Sequence, residues 1–245
     1  MELDLSGKKA IVTGGGRGLC RSIAEALHDS GAEVILVGSS GSAVKAAEEM
    51  NEYGANVYAV TGNLGDRQEI ISIFNKCMDL FDGRVDILVN GAGVQFRSDA
   101  VDFPAEEWER VISINLSAVF YLSQMVGKVM IEHKYGKIIN IASMTSFFGS
   151  ERIPAYTASK AGIAQLTKAL SNEWARSGVN VNAIAPGYMA TNNTNQLRSD
   201  ANRSDEILGR IPAGRWGTPE DMAGAVVFLC SDAASYVNGF TLAVD

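Results

Sequence analysis

A short apolar run, a glycine-rich turn and a helical stretch follow one another near the N-terminus, and this order constrains the fold more than any other feature of the sequence. The run Lys8–Thr13 is typical of a buried strand. Four glycines lie in the turn 14–20, and a helical pattern then extends to about Asp29. Glycines let the backbone approach a pyrophosphate, and the helix N-terminus supplies N–H groups and the positive end of a dipole. The stretch therefore predicts a dinucleotide site.

Strand-like and helical patterns alternate along the rest of the 245 residues. The predicted strands cover 8–13, 33–37, 56–60, 85–90, 137–142, 179–185 and 240–245. The main predicted helices cover 21–29, 42–53, 66–81, 104–132, a stretch that includes 156–160, and 218–230. Such alternation is typical of a parallel sheet with helices on both faces. We predict an α/β, doubly wound (Rossmann) fold of about seven strands, formed by one domain over residues 1–245.

The overall charge argues against several classes of function. The formal net charge is −7, the isoelectric point is about 5.0, and basic residues form no block, so nucleic-acid binding is not expected. The sequence shows no apolar run of membrane-span length, and its N-terminus lacks the basic and apolar parts of a signal peptide. We expect a cytoplasmic, soluble protein that binds no membrane.

The cysteines and histidines show no metal-binding pattern. Cys20, Cys77 and Cys230 are far apart, and His28 and His133 have neither a cysteine nor another histidine nearby. We expect buried free thiols, as in a reducing compartment. A zinc-dependent or histidine-based reaction is disfavoured, and no metal site is predicted.

A tyrosine and a lysine with helical spacing are the strongest chemical feature. Tyr156 and Lys160 lie four residues apart, so both side chains share one helix face. An ammonium group beside a phenol stabilises the phenolate and lowers a pKa that is ordinarily about 10. Such a pair is predicted to donate and accept a proton near neutral pH. Ser143 follows the strand 137–142, at a strand end where such sheets bind ligands, and its hydroxyl is placed to hold a carbonyl oxygen.

Together these motifs resemble the short-chain dehydrogenase/reductase family, and the resemblance covers nearly the whole chain. The family's serine, tyrosine and lysine match Ser143, Tyr156 and Lys160, and its mid-helix asparagine matches Asn115. The resemblance implies hydride transfer between an alcohol or ketone and a nicotinamide. Tyr156 would move the proton, Ser143 would orient the substrate oxygen, and Lys160 would lower the tyrosine pKa and hold the nicotinamide ribose. Asn115 would support a water relay.

The resemblance also implies which residues bind the cofactor. They are Gly14, Gly16, Arg17, Gly18, Leu19, Ser39, Asn63, Leu64, Asn90, Ala92, Gly93, Tyr156, Lys160, Pro186, Gly187, Met189 and Thr191. Three positions depart from the family pattern: Cys20 replaces the last glycine of the first turn, Asn63 replaces an aspartate, and Gly91 replaces the second asparagine of Asn-Asn-Ala-Gly. At Cys20 we expect a slight outward shift of the helix, since the glycine normally allows close helix packing.

The residues themselves leave the choice between NAD and NADP open. Gly38 and Ser39 stand where many NAD-binding relatives have an acid for the ribose 2′-hydroxyl. Nothing there repels a 2′-phosphate, and Arg17 is a candidate to meet one, yet no arginine follows the strand. The narrower resemblance described next favours NAD, with NADP not excluded.

The second half of the chain resembles a narrower group within the family, the 2-dehydro-3-deoxy-D-gluconate 5-dehydrogenases. The similar stretches are 138–144, 152–154, 172–175, 180–194, 203–204, 206–208 and 210–217. This resemblance implies a sugar-acid substrate of uronate breakdown, whose carboxylate requires a cation. Arg152 is the first candidate, with Arg97 and Arg203 as others. The predicted substrate-binding residues are Ser143, Gln95, Arg97, Arg152, Tyr156, Tyr188, Asn192 and Asn193.

Two alternatives to this function remain at the level of sequence. One is a related NADP-dependent enzyme, either a gluconate 5-dehydrogenase or a 3-oxoacyl-thioester reductase. The other is a nucleotide-binding regulatory protein without catalysis, which the departures at Cys20, Asn63 and Gly91 would suit. The family resemblance also implies a homotetramer, with the helices that begin at Pro104 and Ala155 as interfaces.

Overall fold

The computed structural model describes residues 3–51, 56–191 and 194–245. The strands are β1 (Lys9–Thr13), β2 (Glu33–Gly38), β3 (Val57–Thr61), β4 (Ile87–Asn90), β5 (Gly136–Ile141), β6 (Val179–Pro186) and β7 (Thr241–Val244). They form one seven-stranded sheet in the order β3-β2-β1-β4-β5-β6-β7, and every neighbouring pair is parallel. The predicted fold class is confirmed.

Helices cover both faces of this sheet. They are α1 (Gly18–Asp29), α2 (Ser42–Asn51), α3 (Arg67–Leu80), α4 (Ala105–Ile112), α5 (Ala118–His133), α6 (Pro154–Trp174), α7 (Asn195–Ser199), α8 (Ala201–Leu208) and α9 (Pro219–Cys230). One apolar core joins α1, α2 and α9 to the sheet, and another joins α3, α5 and α6 to the opposite face. The predicted end of α2, at Tyr53, lies outside the described residues.

The strand order reverses between β1 and β4, which creates the crevice where such folds bind ligands. After β3 the chain returns to the middle of the sheet and places β4 beside β1. The central strands are buried on both faces, as expected of a parallel sheet covered by helices: all residues of β5 are buried. Because these strands are parallel, the carboxyl ends of β1, β4, β5 and β6 lie at one edge of the sheet, where segments distant in the chain come together.

The helix predicted over 104–132 is interrupted in its middle. A π-helical turn, Ser113–Ser117, separates α4 from α5. In this turn the N–H of Ala118 donates to the carbonyl of Ser113, five residues earlier. A π-turn kinks a helix and is common at functional sites. Asn115, which matches the family's mid-helix asparagine, lies within it and is 1% exposed.

The segment Ala105–His133 is also the helical segment among the described residues that is long and apolar enough, by length and composition alone, to cross a membrane. This differs from the expectation that no stretch reaches that length. Part of the segment belongs to the core: its α5 portion packs on α3, α6 and β5. Core helices of globular proteins commonly have this composition, so the finding is weak support for a membrane span.

A row of buried polar side chains crosses the centre of the sheet. Asn90 Nδ2 donates to Ser123 Oγ (3.0 Å) and to Asn140 Oδ1 (2.9 Å). Asn140 Nδ2 donates in turn to Thr167 Oγ1 (3.0 Å) on α6. All four side chains are at most 3% exposed. Because their hydrogen bonds are satisfied, they hold β4, β5, α5 and α6 in register without leaving a buried polar group unpaired.

Candidate active site

The turns after β1 and β4 touch each other at the carboxyl edge of the sheet. Thr13 Oγ1 accepts hydrogen bonds from the backbone N–H groups of Gly91 (3.0 Å) and Ala92 (3.1 Å). Gly14 has φ +74°, and a Cβ there would lie 3.1 Å from the Ala92 backbone. Glycine is therefore required at position 14 both by its conformation and by the close approach. Thr13 was not among the predicted cofactor residues.

The N-terminus of α1 is suited to bind a pyrophosphate. In the described structure, Arg17 occupies the N-cap position without making a side-chain capping hydrogen bond, and the first turn contains no acidic residue. Its N–H donors thus depend on solvent or a ligand. A Cβ on Gly16 would lie 2.6 Å from the Ala43 backbone nitrogen, so the turn lies directly against the start of α2. This uncapped glycine cradle fits a dinucleotide.

Two of the departures from the family pattern lie in contact. Cys20 is 6% exposed, and a Cβ built on Gly91 would overlap its Sγ atom. The thiol therefore fills the space that a side chain at position 91 would need. Burial raises the pKa of the Cys20 thiol to about 11, while the nearby Lys160 acts in the opposite direction. All three cysteines are buried and free, as predicted.

Lys160 is buried beneath the meeting point of these turns. Its Nζ donates to the Ile141 carbonyl oxygen (2.6 Å), at the end of β5. A Cβ on Gly93 would lie 3.8 Å from this Nζ and 3.4 Å from Asn115 Oδ1, so three predicted site residues converge here. Burial lowers the pKa of Lys160 to about 8, and Cys20 has a smaller opposing effect. The amine is thus close to its titration range under ordinary conditions.

Tyr156 and Lys160 share one face of α6, as their spacing predicted, with Nζ 5.6 Å from the centre of the tyrosine ring. The expected direction of the tyrosine pKa was wrong for this structure. Burial raises the pKa of Tyr156, and the opposing, smaller effect comes from a hydrogen bond with Ser143 rather than from Lys160. The physical reason is that burial dominates at Tyr156, while the Lys160 ammonium is directed to the Ile141 carbonyl rather than to the phenol oxygen.

Asn115 holds the loop that follows β4. Its Oδ1 accepts from the Val94 N–H (2.8 Å), and its Nδ2 donates to the Val94 carbonyl (2.9 Å) and to Ser159 Oγ (3.2 Å). Ser159 Oγ donates to the Tyr156 carbonyl (2.7 Å). The asparagine side chain is thus fully used in linking the π-turn, the β4 loop and the helix that carries Tyr156.

Ser143 sits at the start of a short 3₁₀ turn, Met144–Ser146. Its Oγ accepts from the Thr145 N–H (3.2 Å). Its own N–H donates to Ser146 Oγ (3.3 Å), and Ser146 Oγ donates to the Lys160 carbonyl (2.6 Å). The sequence analysis did not single out Ser146. The Ser-x-x-Ser spacing, which suits a capping box, was the signal for it.

Comparison with known proteins identifies the family of this chain. The family model described as enoyl-(acyl carrier protein) reductase matches residues 14–245. The 2-dehydro-3-deoxy-D-gluconate 5-dehydrogenase of Dickeya dadantii (strain 3937) is 46% identical over 243 residues, covering 99% of this chain and 95% of that protein. The chain belongs to the short-chain dehydrogenase/reductase family. It is therefore an oxidoreductase that uses a nicotinamide cofactor.

Two further short-chain dehydrogenases extend the comparison. The 2-dehydro-3-deoxy-D-gluconate 5-dehydrogenase of Escherichia coli (strain K12) is 46% identical over 242 residues, covering 98% of this chain and 95% of that protein. A crystal structure of a gluconate 5-dehydrogenase from Burkholderia cenocepacia J2315, in complex with NADP and tartrate, superposes with a TM-score of 0.95 at 35% identity. It covers 100% of this chain and 96% of the other.

The predicted carboxylate-binding arginines of this short-chain dehydrogenase have different partners. Arg152 Nε lies 3.0 Å from Asp99 Oδ1, and the Arg152 carbonyl accepts from the Ser98 N–H (3.0 Å). Arg152 also has φ +64°, a left-handed conformation that is rare outside glycine. Arg97 is exposed, and its guanidinium faces the Gln95 amide. With the amide turned so that its oxygen faces the guanidinium, that oxygen accepts from Arg97 Nε (2.9 Å) and from one terminal nitrogen (3.3 Å). The third candidate, Arg203, pairs with Glu206.

The segment after β6 is attached to the chain at Gly217, beyond the end of α8, by a short parallel bridge. The Ala190 N–H donates to the Gly217 carbonyl (2.7 Å), and the Gly217 N–H donates to the Tyr188 carbonyl (2.9 Å). The Tyr188 ring packs edge-on against Trp216 at 5.6 Å. The backbone N–H of Thr191 donates to Thr194 Oγ1 (3.1 Å). The predicted substrate residues Asn192 and Asn193 lie outside the described residues.

The structure assigns other tasks to several predicted cofactor residues. The Asn90 side chain is committed to the sheet interior, so only its backbone is available to a ligand. The Asn63 amide oxygen accepts from the Gly65 N–H (2.9 Å), which closes a local turn. Leu64 is buried and lines a small cavity beside Thr13. The remaining predicted residues are in the turns at the carboxyl edge: Gly18 and Leu19 begin α1, Ser39 follows β2, and Pro186, Gly187 and Met189 end β6 or follow it.

Proposed function

We propose that this oxidoreductase interconverts a secondary alcohol and a ketone on a sugar acid, with 2-dehydro-3-deoxy-D-gluconate as the substrate. The supporting observation is the convergence of Ser143, Tyr156 and Lys160 at the edge where the glycine cradle lies. The names of the relatives at 46% identity point to this sugar acid. Two alternatives, another substrate and loss of catalysis, are distinguished by assays of turnover with several substrates.

In the proposed reaction, Tyr156 exchanges the hydroxyl proton while the substrate carbon loses or gains a hydride. The bound nicotinamide supplies the hydride acceptor or donor. Ser143 donates to the substrate oxygen, where negative charge develops, and such pre-placed donors contribute strongly to catalysis. Lys160 anchors the nicotinamide ribose, and the hydrogen bond from Ser143 favours the phenolate form of Tyr156 against the effect of burial. Asn115 supports the path of the proton to solvent by fixing the loop at Val94.

The cation for the substrate carboxylate is better assigned to Arg97 than to Arg152. Asp99 neutralises Arg152 and would repel a second carboxylate, even though an exposed ion pair of this kind contributes little to stability. Arg97 has an amide as its partner, so its charge is oriented without being neutralised. Arg97 lies four residues after Gly93, on the loop that Asn115 holds at Val94. A Cβ on Gly93 would lie 3.8 Å from Lys160 Nζ, so this loop begins beside Lys160. Gln95 would then hold the guanidinium in position for bidentate binding.

We infer that the site binds both NAD and NADP, and that it binds NADP well. Neither Gly38 nor Ser39 carries a charge that would repel a 2′-phosphate, and Ser40 and Ser42 offer hydroxyls, 3.0 Å apart, near the start of α2. Arg17 is exposed beside this turn. The gluconate 5-dehydrogenase structure contains NADP, which supports this reading and also keeps gluconate as a second candidate substrate.

A steady-state assay tests the proposed function directly. Oxidation of 2-dehydro-3-deoxy-gluconate and of gluconate is followed through the absorbance of the reduced nicotinamide, with NAD and NADP in parallel. We expect faster turnover of the 2-dehydro-3-deoxy acid than of gluconate, and a large loss of turnover in Tyr156→Phe. Full activity of Tyr156→Phe would contradict the proposed mechanism. Cofactor binding with no turnover of any sugar acid, ketone or thioester would favour a regulatory protein.

We also infer a homotetramer whose interfaces include α5 and α6. A surface groove of about 480 Å³ lies between these helices, with Phe120, Leu170 and Trp174 among its lining residues and charged groups such as Lys128 and Glu173 at its rim. Phe120 is 36% exposed. An apolar groove with a charged rim is typical of an interface. Light scattering of the purified protein tests this: a tetramer that dissociates in Phe120→Arg is expected, and a monomeric wild type would refute it.

The same reasoning extends to location and domain organisation. We infer a cytoplasmic enzyme, since its three cysteines are free and its cofactor belongs to the intracellular pool. The described residues contribute all their strands to one sheet, which supports one domain over residues 1–245.

A further inference from the structure

The hydroxyl of Ser146 lies between the turn that carries Ser143 and the helix that carries Lys160. It donates to the Lys160 carbonyl at 2.6 Å and accepts from the Ser143 N–H at 3.3 Å. Within the part of the chain that the structure describes, it is one of two side-chain links between the turn 143–148 and α6, the other being the hydrogen bond between Ser143 and Tyr156. Ser146 is partly buried, so water competes weakly for these bonds.

The bonding capacity of Ser146 is matched to these two neighbours. A serine hydroxyl has one proton to donate and lone pairs to accept with. The proton goes to Lys160 and the lone pair to the backbone of Ser143, so the two catalytic residues are tied through a single oxygen atom. Ser143 has a further local constraint, the bond from the Thr145 N–H to its Oγ. Removing the Ser146 oxygen would leave the hydrogen bond between Ser143 and Tyr156 as the remaining side-chain link from the turn to α6, without the link that fixes the backbone of Ser143.

We propose that Ser146 is a positioning residue that sets the Ser143 hydroxyl relative to Tyr156 and Lys160. It does not touch the reacting atoms and acts through Ser143. This inference rests on the proposed catalytic roles of Ser143, Tyr156 and Lys160. A hydroxyl displaced by a fraction of an ångström stabilises the developing oxyanion less well, because catalysis depends steeply on such placement.

The consequence for Tyr156 separates positioning from a purely structural role. The bond from Ser143 lowers the pKa of Tyr156 against the larger effect of burial. If Ser143 moves away, burial acts with less opposition, and the pKa of the tyrosine rises. The deprotonated tyrosine needed for alcohol oxidation then forms only at higher pH. A loss of stability alone would leave the shape of this pH profile unchanged.

The test compares Ser146→Ala with Ser146→Thr, which keeps the hydroxyl. For Ser146→Ala we expect kcat for alcohol oxidation to fall about tenfold, the KM for the cofactor to stay within about twofold, and the kcat–pH profile to move toward alkaline pH. Ser146→Thr should recover most of the activity. The matched control is Ser231→Ala, since Ser231 Oγ donates to the Phe228 carbonyl (2.8 Å) and accepts from the Ala233 N–H (3.2 Å) far along the chain from the site. It should leave kcat and the pH profile unchanged.

A double-mutant cycle decides whether Ser146 acts through Ser143. In a Ser143→Ala background, the residual kcat should change less than about twofold on adding Ser146→Ala. An equal tenfold loss in both backgrounds, or an unchanged profile in Ser146→Ala, would overturn the inference. The failure of the proposed function looks different: Ser143→Ala and Tyr156→Phe would then themselves retain full activity.

Discussion

The sulfur atom of Cys20 occupies the space that a side chain at position 91 would need. Cys20 stands where the family has a glycine, and Gly91 stands where it has an asparagine. The larger side chain at position 20 is therefore matched by a smaller residue at position 91, in the same contact. The pair lies beside Lys160, since the Cys20 thiol and the Lys160 amine influence each other's pKa. Two changes that compensate each other in packing are expected of a maintained site, which argues against a nucleotide-binding protein that has lost its activity.

The first prediction concerns this contact. Gly91→Ala should destabilise the protein by about 1–3 kcal/mol, because overpacking a filled site forces neighbours to move. The same substitution in Cys20→Gly should cost clearly less, since the sulfur is gone and mainly the Thr13 carbonyl, 3.0 Å from the added Cβ, remains close. Urea unfolding of the four proteins measures the coupling. Additive costs would show that the two departures are independent.

The second prediction is that Lys160 is held at a cost in stability. Burial depresses its pKa from 10.5 to about 8, and such a shift corresponds to about 3 kcal/mol. Lys160→Met should abolish turnover and raise the free energy of unfolding at pH 7 by about 1–3 kcal/mol, less than the full amount because the Ile141 carbonyl loses its donor. Loss of both activity and stability would contradict this.

The gain in the free energy of unfolding of Lys160→Met depends on pH, and the lowered pKa of Lys160 sets the direction of this dependence. Between about pH 8 and pH 10.5 the unfolded state binds more protons at Lys160 than the folded state does, so wild-type stability from this group rises with pH across that window. The advantage of Lys160→Met should therefore be largest below pH 8 and should shrink as the pH approaches 10.5. Unfolding curves for both proteins at several pH values check this, and a constant difference would count against a buried, depressed amine.

The third prediction separates the two candidate arginines. Arg97→Ala should raise the KM for the sugar acid about tenfold to a hundredfold, the range expected for losing a hydrogen bond to a charged group. Its effect on a neutral polyol should be small. Arg152→Ala, the control with the same change of charge, should raise the sugar-acid KM less than about threefold, since its partner is Asp99. The reverse order would assign the carboxylate to Arg152, as the sequence analysis preferred.

The fourth prediction concerns the cofactor. Ser39→Asp places a negative charge after β2 and should lower kcat/KM for NADP at least about tenfold while leaving that for NAD within about twofold. Ser39→Asn is the neutral control of similar size and should affect both cofactors alike. Arg17→Ala should weaken the binding of NADP more than the binding of NAD. If Ser39→Asp affected both cofactors equally, the 2′-position would not face this turn.

Much of the architecture was predictable because its causes are local. Three features depend only on neighbours within a few residues. They are the apolar run before the glycine turn, the spacing of apolar residues along α1, and the capping residues Thr218 and Pro219 at the start of α9. The same holds for the spacing that puts Tyr156 and Lys160 on one helix face. The π-turn at 113–117 was not predictable, since its pattern of apolar residues also suits an uninterrupted helix and only packing around Asn115 distinguishes the two.

What the sequence by itself determined is the sheet, its alternating helices and the residues that can carry proton and hydride chemistry. The tertiary structure alone decided how those residues are used. It paired Arg152 with Asp99, turned Asn90 into the sheet and directed Lys160 to the Ile141 carbonyl. It also joined Ser146 to Lys160 and set Cys20 against Gly91. The physical reason is that burial, charge pairing and close packing depend on groups brought together from distant parts of the chain, which local periodicity does not encode.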